Sequence, residues 1–249
     1  MINILRRRFG LLGCNISYSF SKGYFTEKFS DETFAGNSYE NFDIQYINEF
    51  TEIIQNNPDL KGLNVTIPYK EQIIPFLDKL SKKANLIGAV NTIKFTKKGK
   101  LKGYNTDYYG FKKSLKPLLK PHHKKALILG TGGASKGVAF ALDELYILYT
   151  FVSREAKENI IDYDLINATT FDNFQIIINC TPVGTSPNTE ACPNLPYESF
   201  TDKHIAYDLI YNPEETTFLK KAKANGAIIK NGYDMLIFQA EKAWKIWTK

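Results

Sequence analysis

Cysteine and histidine are scarce in this chain of 249 residues, with three of each. Cys14, Cys180 and Cys192 are odd in number and lack metal-ligand spacing, which argues against a disulfide framework and points to a reducing compartment. His122, His123 and His204 fall into no zinc or hydrolase pattern; His122 and His123 sit among lysines ahead of a strand and read as solvated. No bound metal is expected. Long apolar runs are missing as well, none approaching the ~18 residues of a membrane span. Two N-terminal patterns imitate targeting signals: Arg6-Arg7-Arg8-Phe9 a twin-arginine signal, and Leu11-Leu12-Gly13-Cys14 a lipoprotein box. Both need an apolar stretch of roughly 7–15 residues after the charges, but the sequence turns polar at Asn15-Ile16-Ser17. Repeats and low-complexity tracts are absent too. The expectation is a soluble, cytoplasmic protein without membrane contacts.

What is present is ordinary globular material: 43% hydrophobic and 23% charged residues, enough for a sizeable core. The length lies between one and two domains at about 150 residues each. The net charge is +6, but the lysines are scattered and the tightest cluster is Arg6, Arg7 and Arg8. That reads as a basic surface that helps attract anionic ligands rather than as a nucleic-acid site. Short strands are expected at 8–13, 63–67 and 89–95, with helices at 44–55 and 70–80, the second containing Pro75. From Lys124 onward apolar runs at 126–129, 149–152, 176–178, 205–210 and 227–229 alternate with helical stretches, the pattern of βαβ units and a parallel sheet. Asn231-Gly232 then opens a last helix bearing Met235, Ile237, Phe238, Trp244 and Trp247. The fold class is α/β: a mixed α/β N-terminal domain, then a Rossmann-type doubly wound domain, with a cleft between them.

The most informative local feature is the turn at Gly130, Gly132 and Gly133, between the strand ending at Leu129 and a helix with Val138, Ala141, Leu142 and Leu145 on one face. Glycines there let the backbone approach a phosphate, and the helix N-terminus offers free N–H donors. Ser135 occupies the place of the third glycine. The next strand ends in Ser153-Arg154, where an NAD site usually places a carboxylate for the ribose 2′-hydroxyl. A hydroxyl and a guanidinium suit a 2′-phosphate, although Glu155 is close by. Elsewhere, Ser19 and Ser21 (or Ser17 and Ser19) would share one face of an extended segment and could grip one carboxylate. Asn64 and Thr66 share a face opposite Leu63, Val65 and Ile67, and Lys70 follows at the mouth of the next helix. Asn91 and Asp107 are further polar residues at strand or loop ends, Asp107 also being a candidate helix cap.

The order of these pieces resembles shikimate dehydrogenase over nearly the whole chain: residues 13–21, 64–70, 88–92, 105–107, 130–135, 179–182, 208–213, 231–236 and Gln239-Ala240. Asn64 to Lys70 together with Asn105-Thr106-Asp107 is the specific part. The resemblance implies reversible reduction of 3-dehydroshikimate to shikimate with NADPH, a step toward chorismate and the aromatic amino acids. It implies a substrate-binding domain, residues 1–104 with helix 233–249 returning to it, and an NADP-binding Rossmann domain, residues 105–232. It implies Lys70 and Asp107 as the catalytic pair, Ser19 and Ser21 on the substrate carboxylate, and Asn64, Thr66, Asn91, Tyr211 and Gln239 on the rest of the substrate. Cofactor contacts would come from Gly130, Thr131, Gly132, Gly133, Ala134, Ser135, Ser153 and Arg154, with Asn179, Cys180, Thr181 and Gly232 near the nicotinamide. The partner would be this small molecule, and the chain a monomer or homodimer. Departures from the family's usual residues are Tyr18 for histidine, Lys22 for proline, Thr131 and Cys180 for alanines, and Tyr146 for a turn glycine. A quinate/shikimate dehydrogenase using NAD, and a silent NADP-sensing regulator, are the alternatives; loss of Lys70 or Asp107 would favour the regulator, and both are present.

Overall fold

The computed structural model describes residues 7–17, 19–155 and 157–249; Arg6 and Tyr18, both noted above, lie outside them. Two compact units are formed, residues 1–106 with 239–249, and residues 107–238.

The first unit is built on β1 (Arg7–Gly13), β2 (Asn37–Asp43), β3 (Leu60–Val65), β4 (Lys79–Leu80), β5 (Thr92–Phe95) and β6 (Leu101–Tyr104), in the order β2-β1-β3-β5-β6-β4. β1 is parallel to β2 and β3, whereas β5 is antiparallel to β3 and β6. Alternation along β1 sends Phe9 and Leu11 into a core with Phe25, Tyr39 and Trp247, and Leu12 into one with Phe50, Leu63 and Val65, as the two-residue period of a strand requires. Helices α1 (Phe20–Ser30), α2 (Phe50–Asn56) and α3 (Lys82–Ile87) complete the unit, together with the later turns of the last helix.

Three expectations fail here. Residues 70–80 form turns, a single 3-10 turn at Ile74–Phe76 and then β4, not a helix. Pro75 is the reason: it has no N–H to donate and its ring clashes with the carbonyl four residues back. Lys70 therefore sits in a turn rather than at a helix mouth. The expected strand at 63–67 ends at Val65 and is buried on both faces, Asn64 included, because Leu63 and Val65 pack into one core while Gly62 meets Trp247 and Asn64 meets Tyr39 on the other face. Ile67 is instead 67% exposed. Finally, Ser21 is not in an extended segment. Ser19 is the N-cap of α1 and Ser21 lies in its first turn, so helical winding rather than strand alternation orients the two serines.

The second unit holds β7 (Lys125–Leu129), β8 (Leu148–Ser153), β9 (Ile160–Asp162), β10 (Ile176–Asn179), β11 (Ile205–Asp208) and β12 (Ile228–Lys230), all parallel, in the order β12-β11-β10-β7-β8-β9. Central parallel strands are covered on both faces and read as unbroken apolar runs; Ala126, Leu127, Ile128 and Leu129 are accordingly all fully buried. Each of the larger three contributes about 1.5–3 kcal/mol by leaving water. The helices are α4 (Asp107–Leu115), α5 (Gly133–Asp143), α6 (Ala168–Asn173), α7 (Thr217–Ala224) and the first turns of α8 (Tyr233–Thr248). Val138, Ala141 and Leu142 of α5 are buried, while Leu145 lies past its end.

The division falls later in the chain than the expected 104/105 and 232/233. Asp107 opens α4, whose Tyr108 packs edge-on against Phe140 of α5. Asp234 pairs with Lys230, and Lys113 lies over the Phe238 ring, which ties 233–238 to the second unit. His123 is buried, not solvated: its Nδ1 accepts from the Lys120 N–H at 2.8 Å and its Nε2 lies 3.1 Å from the Lys203 carbonyl. No helix among the described residues is long and apolar enough to cross a membrane.

Candidate active site

In the first unit the candidate residues gather around the carboxyl end of β3. The Val65 N–H donates to the Asn91 carbonyl at 2.9 Å, and the Thr66 N–H to that of Leu12 at 2.9 Å. The Lys70 carbonyl accepts from the Val90 N–H at 2.7 Å. These backbone bonds bring the Thr66–Lys70 turn beside Asn91, just ahead of β5. Lys70 is half-buried there.

Behind the turn runs a buried chain of polar side chains. Ser21 is buried beside Tyr39, whose hydroxyl donates to Asn64 Oδ1 at 2.8 Å. Asn64 Nδ2 donates to the Asn91 carbonyl at 3.2 Å and to Thr92 Oγ1 at 3.3 Å. Asn91 Oδ1 accepts from the Thr106 N–H at 2.6 Å, and Asn91 Nδ2 reaches Gln239 Oε1 at 3.4 Å. Thr106 Oγ1 lies 3.1 Å from Asn91 Oδ1 and 3.3 Å from Gln239 Oε1, with one proton to share between them. Burial raises the Tyr39 phenol far above its ordinary range, so it stays neutral. The arrangement brings together Ser21, Asn64, Asn91 and Gln239, four of the expected substrate residues. It adds Tyr39, Thr92 and Thr106, which sequence reading did not single out. Tyr39 is the one buried residue of a polar edge strand, and that was the available signal. Ser19 is half-buried, and its hydroxyl does not cap α1.

The second unit has its topological switch point at β7, which is flanked by β10 on one side and β8 on the other. Ligands of open α/β sheets bind outside the carboxyl ends of strands at such a point. Gly130 leaves β7 with φ +98°, a left-handed conformation that favours glycine. Its N–H donates to the Val152 carbonyl at 2.8 Å. Gly132 is the N-cap of α5 with no side chain over the helix end, and nothing lies within 4 Å of where its Cβ would be. The first N–H groups of α5 are thus open to an anion. Thr131 is exposed, and Gly133 and Ala134 are half-buried in the same turn. Ser135 is fully buried, its hydroxyl donating to the Gly132 carbonyl at 2.6 Å and its N–H to the same carbonyl at 3.0 Å, so it closes the turn from within. Ser153 ends β8 and Arg154 follows it, exposed. A bare helix N-terminus with a guanidinium at the end of the next strand fits a dinucleotide carrying an extra phosphate.

Across the switch point, the Cys180 N–H donates to the Leu129 carbonyl at 2.9 Å. Thr181 Cγ2 lies 3.0 Å from where a Cβ on Gly130 would be. Asn179, Cys180 and Thr181 therefore wall the glycine turn. Gly232 packs against Leu209, whose carbonyl would be 2.0 Å from any Cβ placed there, so it serves close packing at the mouth of α8. Tyr211 is half-buried just past β11, and Asp107 is buried at the start of α4.

Residues 11–93 match the shikimate dehydrogenase substrate binding domain. Over 98% of its length the chain is 36% identical to the NADP(+)-dependent shikimate dehydrogenase of Pelagibacter ubique, covering 94% of that protein. The chain belongs to the shikimate dehydrogenase family. Among solved structures, shikimate dehydrogenase from Aquifex aeolicus superposes with a TM-score of 0.86 at 35% identity, covering 99% of this chain and 94% of that one. The Thermus thermophilus enzyme, solved with NADP(H) and shikimate, gives 0.85 at 32% identity over 97% and 93%. One departure from the family's usual residues now has a physical setting. Tyr146, at the family's turn glycine, holds φ +58° and is 92% exposed; the backbone needs the left-handed conformation there whichever residue occupies it.

Proposed function

We propose that the first unit binds the substrate, the second binds NADP, and the chain interconverts 3-dehydroshikimate and shikimate. The chain is an NADP-dependent oxidoreductase of the shikimate dehydrogenase family, and its reaction leads toward chorismate and the aromatic amino acids. The observation that carries the reading is the open N-terminus of α5 behind the glycine turn, with Arg154 closing the next strand, in a chain with near full-length shikimate dehydrogenase relatives.

Gly130, Thr131, Gly132, Gly133, Ala134 and Ser135 would receive the pyrophosphate of NADP, and Ser153 and Arg154 its 2′-phosphate. Asn179, Cys180, Thr181 and Gly232 would flank the nicotinamide. When bound, NADPH supplies the hydride. The protein's own task is the oxygen of the ketone, on which negative charge grows and which must be stabilised and protonated. Lys70, as an ammonium, can do both, and takes the proton back in the direction of shikimate oxidation. Asp107 would hydrogen-bond the lysine and a substrate hydroxyl, keeping the ammonium aimed. Ser19 and Ser21 would hold the carboxylate, and Asn64, Thr66, Asn91, Gln239 and Tyr211 the ring. Asn64 and Asn91 already have partners inside the network, so their remaining hydrogen-bonding capacity is fixed in direction before a ligand arrives. We place the protein in the cytoplasm, as a monomer or homodimer without nucleic-acid partners.

The test is reduction of NADP+ by the purified protein with shikimate and then with quinate. Turnover with shikimate and NADP+ is expected. A protein that binds NADP+ but turns over neither acid would contradict the assignment, and faster turnover of quinate with NAD+ would transfer it to quinate oxidation.

A further inference from the structure

Asp208 is the fully buried carboxylate at the carboxyl end of β11, one strand away from the wall of the cofactor site. Its partners are all donors. Oδ1 accepts from Asn179 Nδ2 at 3.1 Å and from the Ile210 N–H at 3.0 Å, and Oδ2 accepts from Thr216 Oγ1 at 2.7 Å. With its NH2 group so held, Asn179 presents Oδ1 to Thr181, accepting from the Thr181 N–H at 3.0 Å and from Thr181 Oγ1 at 2.6 Å. Thr181 is the residue whose methyl closes on Gly130. An amide has two unlike ends. Were Asn179 turned over, its NH2 would face the Thr181 N–H and its oxygen would face the Asp208 carboxylate. Asp208, together with the Val183 carbonyl that also accepts from Asn179 Nδ2 at 3.3 Å, thus fixes which end of Asn179 meets Thr181, and so where Thr181 stands against the glycine turn.

We infer that Asp208 is a positioning residue of the cofactor site, acting as a hydrogen-bond acceptor that sets Asn179 and Thr181 against the turn at Gly130. This rests on the reading of the second unit as the NADP site. The role calls for an acceptor, not for charge. Burial pushes the Asp208 carboxyl up to about 6, the direction of a site that tolerates a proton. In Asp208→Asn, Oδ1 keeps both of its donors, and the new NH2 can donate to Thr216 Oγ1, since a hydroxyl accepts as readily as it donates.

The experiment measures binding of NADP+ and of 2′,5′-ADP to the wild type and three variants. 2′,5′-ADP carries the 2′-phosphate and the first phosphate of the pyrophosphate but lacks the nicotinamide, so it reports the Arg154 and α5 side without the nicotinamide that would lie beside Asn179 and Thr181. Wild type should bind both; if it binds neither, the NADP reading itself fails. Asp208→Ala should weaken NADP+ about tenfold to a hundredfold, the scale of a lost buried hydrogen bond, and leave 2′,5′-ADP within about twofold. Asn179→Ala leaves Asp208 its Ile210 and Thr216 donors and should show the same split, which carries the test if Asp208→Ala does not fold. Asp208→Asn should bind NADP+ nearly as the wild type does. The inference is overturned by unchanged NADP+ affinity in Asn179→Ala, by equal loss of both ligands in that variant, or by an Asp208→Asn protein that folds, holds 2′,5′-ADP and loses NADP+.

Discussion

The two units build their candidate sites from different materials. In the first, side chains do the work: neutral hydroxyls and amides on β2, β3, α8 and the segments beside β5 satisfy one another along a buried chain from Tyr39 to Gln239. In the second, the backbone does it, through a left-handed glycine, an uncapped helix end and a switch in strand order. A side-chain site fixes directions and suits a small ligand with many hydroxyls. A backbone site offers N–H groups to whatever carries phosphate, and on the proposed reading discrimination would fall to the exposed Arg154.

The sharpest way to probe that contrast is at Lys70. General acid–base help is typically worth about 10²–10⁴-fold, so Lys70→Ala should lower kcat by that order while NADPH binding, read by fluorescence titration, is retained. A folded Lys70→Ala protein turning over dehydroshikimate at near the wild-type rate would break the mechanism. The counterpart in the second unit is Arg154→Ala. Loss of a charge-assisted bond costs roughly 1.5–3 kcal/mol, or about 10- to 150-fold in affinity. The loss should fall on NADPH and spare NADH; equal losses would mean that Arg154 serves parts common to both.

The next prediction addresses the network itself. Tyr39→Phe keeps the ring stacked on Phe25 but strips Asn64 Oδ1 of its buried donor. An orphaned acceptor costs about 1–3 kcal/mol, to be seen as a lower urea midpoint with an unchanged slope. A neutral result would mean that water replaces the phenol. At Tyr146 the sign reverses: a non-glycine residue in the left-handed region costs roughly 1–2 kcal/mol, so Tyr146→Gly should stabilise the fold by about that much, less the extra freedom that glycine gives the unfolded chain, and raise the midpoint.

The smallest effect concerns His123. Burial, aided by the nearby His122, lowers its pKa from the ordinary 6.5, so the folded protein keeps it neutral where the unfolded chain takes up a proton. Stability should therefore fall as pH drops below about 6.5 and level off beneath the lowered folded value. His123→Gln should flatten that slope in urea titrations between pH 7 and 5; an unaltered slope would assign it to other groups.

The contrast also explains what the sequence made legible. Gly130 and Gly132 announce themselves because a left-handed turn and an open helix end select for glycine. The parallel strands announce themselves because burial on both faces demands apolar runs such as Ile176-Ile177-Ile178. The network was hidden, because periodicity tells which residues are buried and not which partners they meet. Tyr39 lies in a strand whose other residues are polar or half-exposed, and β2 itself went unread for that reason. α1 was missed because its buried residues, Ser21 and Phe25, make no apolar stripe. Pro75 stood in plain view inside an expected helix, and its missing donor outweighed the pattern around it.

The buried phenol of Tyr39 has a consequence for which ligands the first unit accepts. Tyr39 has one proton and, facing Asn64 Oδ1, gives it away there. Ser21 is buried beside that phenol, whose oxygen, its proton given away, can only accept from the serine hydroxyl. On the proposed reading, a carboxylate entering at Ser21 would compete with that neutral oxygen for the serine proton. It would win, because a hydrogen bond to an anion is roughly twice as strong as one between neutral groups. An ester or an amide in the same place is only another neutral acceptor and gains nothing from the exchange. Two buried hydroxyls would thereby set an entry threshold, one that a ligand crosses by bringing charge.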